Sequence, residues 1–199
     1  MVDNILLLLM AAFPLMGSPG PATLSLAGIG SAYGLRRGLR YMSGIVLGTV
    51  VVLLMIAAGI TAVVLTKPLL LVALSSLAGI YILYLAFRIA TAPVVKDPKC
   101  FGSAPAFLPG FTLAVINPKA FAAIGAVYSS HTIVIDNLPA DTGWKLLLLS
   151  LVILIFSIIW LAFGAAFAKF LRDPVIGRAT NIIFAAMLVL SVGALWLGR

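Results

Sequence analysis

The chain has 199 residues, of which 63% are hydrophobic and only 9% charged, and its mean hydropathy is +1.24. A soluble domain carries roughly a quarter of its residues as charges, so this composition excludes a water-solvated globule and indicates a polytopic membrane protein. The formal net charge of +8 does not indicate nucleic acid, because the basic residues sit in short gaps between apolar runs, as in cytoplasmic membrane loops.

The N-terminus reads Met1-Val2-Asp3-Asn4 before "ILLLLMAAF". A secretory signal needs positive charge ahead of its apolar core, so this run is taken as a membrane span. Six runs reach the length of about 20 apolar residues that a spanning helix needs. They cover roughly 4–34, 41–66, 68–91, 105–130, 144–170 and 174–197. The first is too long for one straight helix and contains Ser18-Pro19-Gly20-Pro21, which predicts two half-helices or one sharp kink.

The gap "RRGLR" follows, with Arg36, Arg37 and Arg40 as topology signals that also meet anionic lipid. Gly34 and Gly38 have helix-packing spacing but are assigned to this loop. Gly44 and Gly48, in the second span, have the same spacing and predict close helix contact within the chain, with a homodimer face as the alternative. Tyr81 and Tyr84 are one turn apart in the third span and are assigned to packing. Tyr33, Tyr41, Tyr128 and Trp144 stand near span ends as interfacial anchors, and His131 sits at the outer end of the fourth span. The lone cysteine, Cys100, excludes an intrachain disulfide or a thiolate metal site.

Lys and Arg alternate along the gaps and the tail as 3, 1, 3, 1, 3, 1, with Lys145 alone in the fourth gap and Lys119 left over inside a span. Positive residues mark cytoplasmic loops, so both termini are expected outside and Cys100 inside. Three spans per half force the halves into opposite orientations. The expected fold is therefore an all-α polytopic membrane protein, with six transmembrane helices in two inverted three-helix repeats. The repeats cover residues 1–92 and 105–199, joined by a cytoplasmic linker at 93–104. The first helix of each repeat is broken at proline.

Paired breaks in inverted halves are the best sequence pointer to a transport site near the midplane. Pro118 removes a backbone N–H and frees a carbonyl, and freed groups must be buried in protein or line a wet cavity. If Pro118 opens a half-helix, the free N–H groups there attract an anion, and Lys119 adds a full positive charge. Lys119 lies more than two turns from either end of its expected span, too far for easy snorkelling, and an intramembrane charge usually faces a cavity. Asn117-Pro118-Lys119 is thus the expected receptor for a substrate carboxylate.

These residues resemble the LysE/RhtB superfamily of bacterial amino-acid exporters. Pro19-Gly20-Pro21 is similar to the family's Pro-Gly-Pro in the first span, and Asn117-Pro118-Lys119-Ala120 to its Asn-Pro-Lys-Ala in the fourth. "AGIYILYLAFR", Ala78 to Arg88, and "RRGLRYMSGIVLG" resemble its third span and its basic first loop, and Asn181 matches an Asn in its sixth span. The resemblance implies export of amino acids or close relatives across the bacterial inner membrane by a small six-span protein, and the expected mechanism is alternating access. Family members often carry an acid after a Gly in the second span and another in an Asp-x-x-Trp pattern in the fifth. Here Thr49 follows Gly48, and Ser157 precedes Trp160.

A lysine or arginine exporter must hold a second positive charge in low dielectric, which calls for a carboxylate partner. Thr49 and Ser157 hydrogen-bond but do not neutralise charge, so a neutral amino acid is the expected cargo. Ser18, Pro19, Gly20, Pro21, Thr49, Asn117, Pro118, Lys119, Ser157 and Trp160 are the expected binding residues. Proton coupling would have to use Lys119, His131 or the substrate. The expected partners are an amino acid and the lipid bilayer, with no nucleic acid, cofactor or metal. An enzyme is disfavoured, because the expected spans hold no Asp, Glu or Cys to build a catalytic site. A small-anion channel or a structural membrane subunit is the alternative.

Overall fold

The computed structural model describes residues 1–59, 76, 80, 83, 84, 86, 87, 90, 91, 106–167 and 173–197. Every regular element among them is a helix. In chain order these are α1 (Val2–Gly17), α2 (Pro21–Ala57), α3 (Phe107–Val115), α4 (Pro118–Ser130), α5 (Leu138–Ala166) and α6 (Pro174–Leu197). Cys100, Tyr81, the linker at 93–104 and most of the third expected span lie outside the described residues.

Local sequence explains both interruptions. A proline pushes the residue before it out of the helical region. Pro19 does so to Ser18 (φ −65°, ψ 154°), and Pro21 to Gly20 (φ −171°, ψ −178°), which ends α1 and restarts the chain as α2 with Pro21 at its favoured first position. Pro118 acts likewise on Asn117 (φ −73°, ψ 106°). The chain bends by 58° between α3 and α4.

Two expected boundaries are corrected. The basic stretch after Gly34 is helical rather than a loop, so α2 runs from Pro21 to Ala57 with its one non-helical residue at Gly34 (φ 76°, ψ 170°). Positive φ is open to glycine at little cost, so this residue alone separates segments 21–33 and 35–57. The fifth helix starts at Leu138, six residues before the expected 144. It therefore takes in Asp141, which the expected bounds leave in a gap, on the same helix as Lys145.

Glycines set the closest helix approaches. At Gly30 and Gly164 a Cβ would strike the backbone of the facing helix, Leu161 and Ala27 respectively, which locks segment 21–33 onto α5. Gly38 faces the Leu161 side chain and is buried, so its assignment to a loop is also corrected. Segment 35–57 meets α3 in the same way: Gly44 and Gly48 face the Phe107 and Phe111 carbonyls, and a Cβ on Gly110 would lie 2.5 Å from the Tyr41 carbonyl oxygen. The Gly44/Gly48 spacing thus serves contact within the chain. Tyr41 is buried, and its hydroxyl donates to Ser25 Oγ at 3.1 Å, so it is not an interfacial anchor.

Two apolar clusters form the core. One joins Leu8 and Ala12 of α1 to Val52 and Leu53 of α2, Ile124 and Val127 of α4, and Leu149, Val152 and Ile153 of α5. The other joins Leu26, Tyr41, Met42 and Ile45 of α2 to Leu113 and Ala114 of α3 and Leu161 of α5. The outer faces stay apolar, with Leu6, Leu7 and Met10 on α1 and Leu147, Leu151, Ile158 and Ile159 on α5 all exposed. Apolar residues outside as well as inside suit a lipid solvent. α2 and α5 are each long and apolar enough to cross a bilayer, and the bent pair α3–α4 is so too when the two helices are taken together as one broken span.

Candidate functional site

The two chain breaks meet. The Lys119 ammonium reaches across to the first break and donates to the Ser18 carbonyl oxygen and, at 3.2 Å, to that of Pro19. These carbonyls lie just past the C-terminus of α1, where the helix dipole is negative. A lysine in an apolar protein interior thereby gains the partners it needs. The fit is close, since a Cβ on Gly20 would lie 2.5 Å from Lys119 Cδ. A third carbonyl of the same stretch, that of Gly17, accepts from Trp160 Nε1 at 3.0 Å. Side chains of α4 and α5 thus hold three consecutive carbonyls that the prolines leave without helical partners.

A cavity opens beside this junction, between the two core clusters. The space there, open solvent at its mouth included, is about 540 Å³. Leu15 and Met16 of α1 line it, with Gly20, Ala22, Thr23, Leu26, Ile45 and Thr49 from the first break and α2. The second break and α4 give Asn117, Lys119, Ala120, Ala123 and Ile124, and α5 gives Ile153, Phe156 and Ser157.

Of the expected binding residues, Gly20, Thr49, Asn117, Lys119 and Ser157 line this one cavity. Ser18, Pro19, Pro21, Pro118 and Trp160 do not. Ser18 and Pro19 act through their carbonyls on Lys119, Trp160 acts through Gly17, and Pro21 and Pro118 set the breaks.

The electrostatics of the two breaks differ from expectation. The N-terminus of α4 does not present free N–H groups. Asn117 caps it, with Oδ1 accepting from Lys119 N at 3.2 Å, while the Asn117 carbonyl accepts from Ala120 N at 3.0 Å and Phe121 N at 3.5 Å. The N-terminus of α2 is open instead. Its cap residue is Gly20, which has no side chain to offer, so among the described residues the N–H groups of Ala22 and Thr23 have no acceptor. The Thr23 hydroxyl turns back to accept from Gly20 N at 2.8 Å, which fixes the turn. The bare helix start therefore faces the cavity next to the Lys119 ammonium, and an anion is favoured there on both counts. Sequence reasoning missed Ala22 and Thr23. The available signal was glycine, not asparagine, at the residue before the helix-opening proline.

Thr49 and Ser157 supply the opposite polarity. The Thr49 hydroxyl donates to the Ile45 carbonyl at 2.8 Å and the Ser157 hydroxyl to that of Ile153 at 2.7 Å. With their hydrogens engaged on their own helices, both oxygens remain as acceptors. Among the described residues no carboxylate lines the cavity.

Asp141 and Lys145 form a second polar cluster, away from the cavity. The ion pair is 2.8 Å long, and its side chains are only 6% and 7% exposed. Asp141 Oδ1 also accepts from Ile133 N at 2.6 Å and Val134 N at 3.1 Å, and Lys145 Nζ lies 4.8 Å above the centre of the Tyr128 ring. Tyr128 thus packs on a lysine as well as bonding Thr142 Oγ1 at 3.4 Å. His131 ends α4, and its ring Nδ1 lies 2.9 Å from Ser130 Oγ and 3.1 Å from the Val127 carbonyl. Among the described residues no group of His, Cys, Asp and Glu could hold a metal ion.

Comparison with known proteins agrees with this architecture. The family model for the LysE type translocator matches residues 14–197. A cysteine/O-acetylserine efflux protein of Salmonella typhimurium (strain LT2) is 30% identical over an alignment of 178 residues that covers 86% of this chain and 87% of the relative. One of the same name from Escherichia coli (strain K12) is 27% identical over 175 residues, with the same shares covered. No solved structure matches the chain significantly. With its family match running through both proline breaks and nearly to the C-terminus, the chain belongs to the LysE type translocator family, and it is an integral membrane transporter, not an enzyme.

Proposed function

We propose that this protein exports small neutral amino acids across the bacterial inner membrane. The observation that carries the proposal is the mixed polar lining of the cavity, which holds the Lys119 ammonium as donor together with the Thr49 and Ser157 oxygens as acceptors. The cargo carboxylate lies between the Lys119 ammonium and the open start of α2, and its ammonium lies on the Thr49 and Ser157 oxygens. A cationic side chain would find no carboxylate among the lining residues and would be repelled by Lys119, so lysine and arginine are disfavoured as cargo. The efflux of cysteine and O-acetylserine, both small and without net charge, by relatives of similar length supports the same class.

In this reading six spans form two inverted repeats, 1–92 and 105–199, with both termini outside, and the cavity is reached from alternate sides. The carboxylate competes with the Ser18 and Pro19 carbonyls for Lys119, so cargo binding loosens the contact between the two breaks as the repeats move. Counterflow in proteoliposomes tests the proposal: unlabelled internal threonine or cysteine should drive uptake of label, and lysine should not. Preferential exchange of lysine would refute the cargo class. Flux without counterflow would indicate a channel.

A further inference from the structure

Asn117 is 5% exposed and lines the cavity. Its amide orientation is set by chemistry: Lys119 N is a donor, so the side-chain atom it meets at 3.2 Å is Oδ1. Nδ2 is therefore the free end, and among the described residues nothing accepts from it. A buried amide with two unspent hydrogens is costly unless a ligand supplies an acceptor.

The other polar groups of the cavity already have counterparts on an amino-acid backbone. Lys119 and the first turn of α2 suit the carboxylate, and the Thr49 and Ser157 oxygens suit the ammonium. Neither end of the zwitterion requires the Asn117 amide. We infer that Asn117 Nδ2 reads the cargo's side chain, so that the site selects amino acids carrying a hydrogen-bond acceptor there, such as a hydroxyl, ester or amide oxygen, over apolar ones of the same shape. The inference rests on the exporter reading and narrows its substrate class. A site built to hydrogen-bond a group rejects the isostere lacking it, because its own polar atom is then left unpaired.

The test uses isosteric pairs, threonine against valine and asparagine against leucine, as competitors of labelled-threonine counterflow by the full-length protein in proteoliposomes. The wild type should bind the acceptor-bearing member at least about tenfold more tightly in each pair. Asn117→Ser keeps a good helix cap, but its hydroxyl ends one bond short of the amide nitrogen. It should erase that preference, weakening the acceptor-bearing members while valine and leucine bind no more weakly than to the wild type. Asn117→Thr serves the same purpose if the serine variant fails to fold, and the wild-type comparison needs no variant. Equal binding within the pairs by the wild type overturns the inference while leaving the exporter reading in place. An equal loss for both members in Asn117→Ser also overturns it, since the residue then acts on the cargo backbone or on the fold. No counterflow with any neutral amino acid overturns both.

Discussion

The buried pair Asp141–Lys145 gives the sharpest test of how this fold holds together. Asp141→Ala removes three interactions at once: the 2.8 Å ion pair and the acceptor for the Ile133 and Val134 N–H groups. Breaking a buried pair from one side costs about 3–5 kcal/mol, because the remaining charge is left uncompensated. Two backbone donors left without an acceptor add roughly 1–3 kcal/mol each. The Tyr128 ring under Lys145 offsets about 1 kcal/mol of this. A net loss of about 4–10 kcal/mol is expected, or roughly 8–40 °C in melting temperature for a chain of this size. The assay is thermal unfolding of detergent-solubilised protein followed by tryptophan fluorescence. Asp141→Asn retains an acceptor for the two N–H groups and should fall between wild type and alanine. The double variant Asp141→Leu with Lys145→Leu should recover much of the loss, because a buried pair replaced by apolar groups of similar volume is often neutral. An alanine variant within about 1 kcal/mol of wild type, with no recovery in the double variant, would refute the reasoning.

Lys119→Met keeps the length of the side chain but frees the Ser18 and Pro19 carbonyls and removes the cavity's cation; amino-acid counterflow should fall below detection while the protein still purifies as a folded species. Gly164→Val places carbon where the Ala27 carbonyl lies and should cost about 2–3 kcal/mol by overpacking, whereas Gly143→Ala, with open space around it, should be neutral or stabilising by up to about 1 kcal/mol; thermal melts compare the two. Membrane-impermeant thiol labelling of intact cells should leave Cys100 unmodified, and strong labelling from outside would invert the expected topology.

Both proline breaks are legible in the sequence because their cause is local. Pro19, Pro21 and Pro118 each exclude the helical conformation from the residue before them, whatever surrounds it. The membrane character is equally local, since no folding arrangement changes a 63% hydrophobic composition. Boundaries were less legible where polar residues neutralise one another. Asp141 falls outside the expected span because hydropathy scores its charge alone, yet with Lys145 at i,i+4 on one helix it forms a pair that is buried whole. Gly38 reads as loop because its arginine neighbours are polar, yet those arginines are exposed on the helix while the glycine itself turns inward against Leu161.

The candidate site divides along the same line. Its residue types were present in the sequence, but which break would receive an anion was not. Asn117 and Gly20 both precede a helix-opening proline; the residue types tell that asparagine is able to cap with its side chain and glycine is not, and the structure adds that Asn117 does cap and that the start after Gly20 lines the cavity. That Lys119 spends its charge on the carbonyls of residues one hundred positions away depends on α4 packing beside α1. Such packing is set by shape at the glycine contacts and between the apolar clusters, and it is a property of the assembled helices. Local chemistry determines where a chain must break, and tertiary packing decides which of the freed groups find one another and which are left facing the cavity.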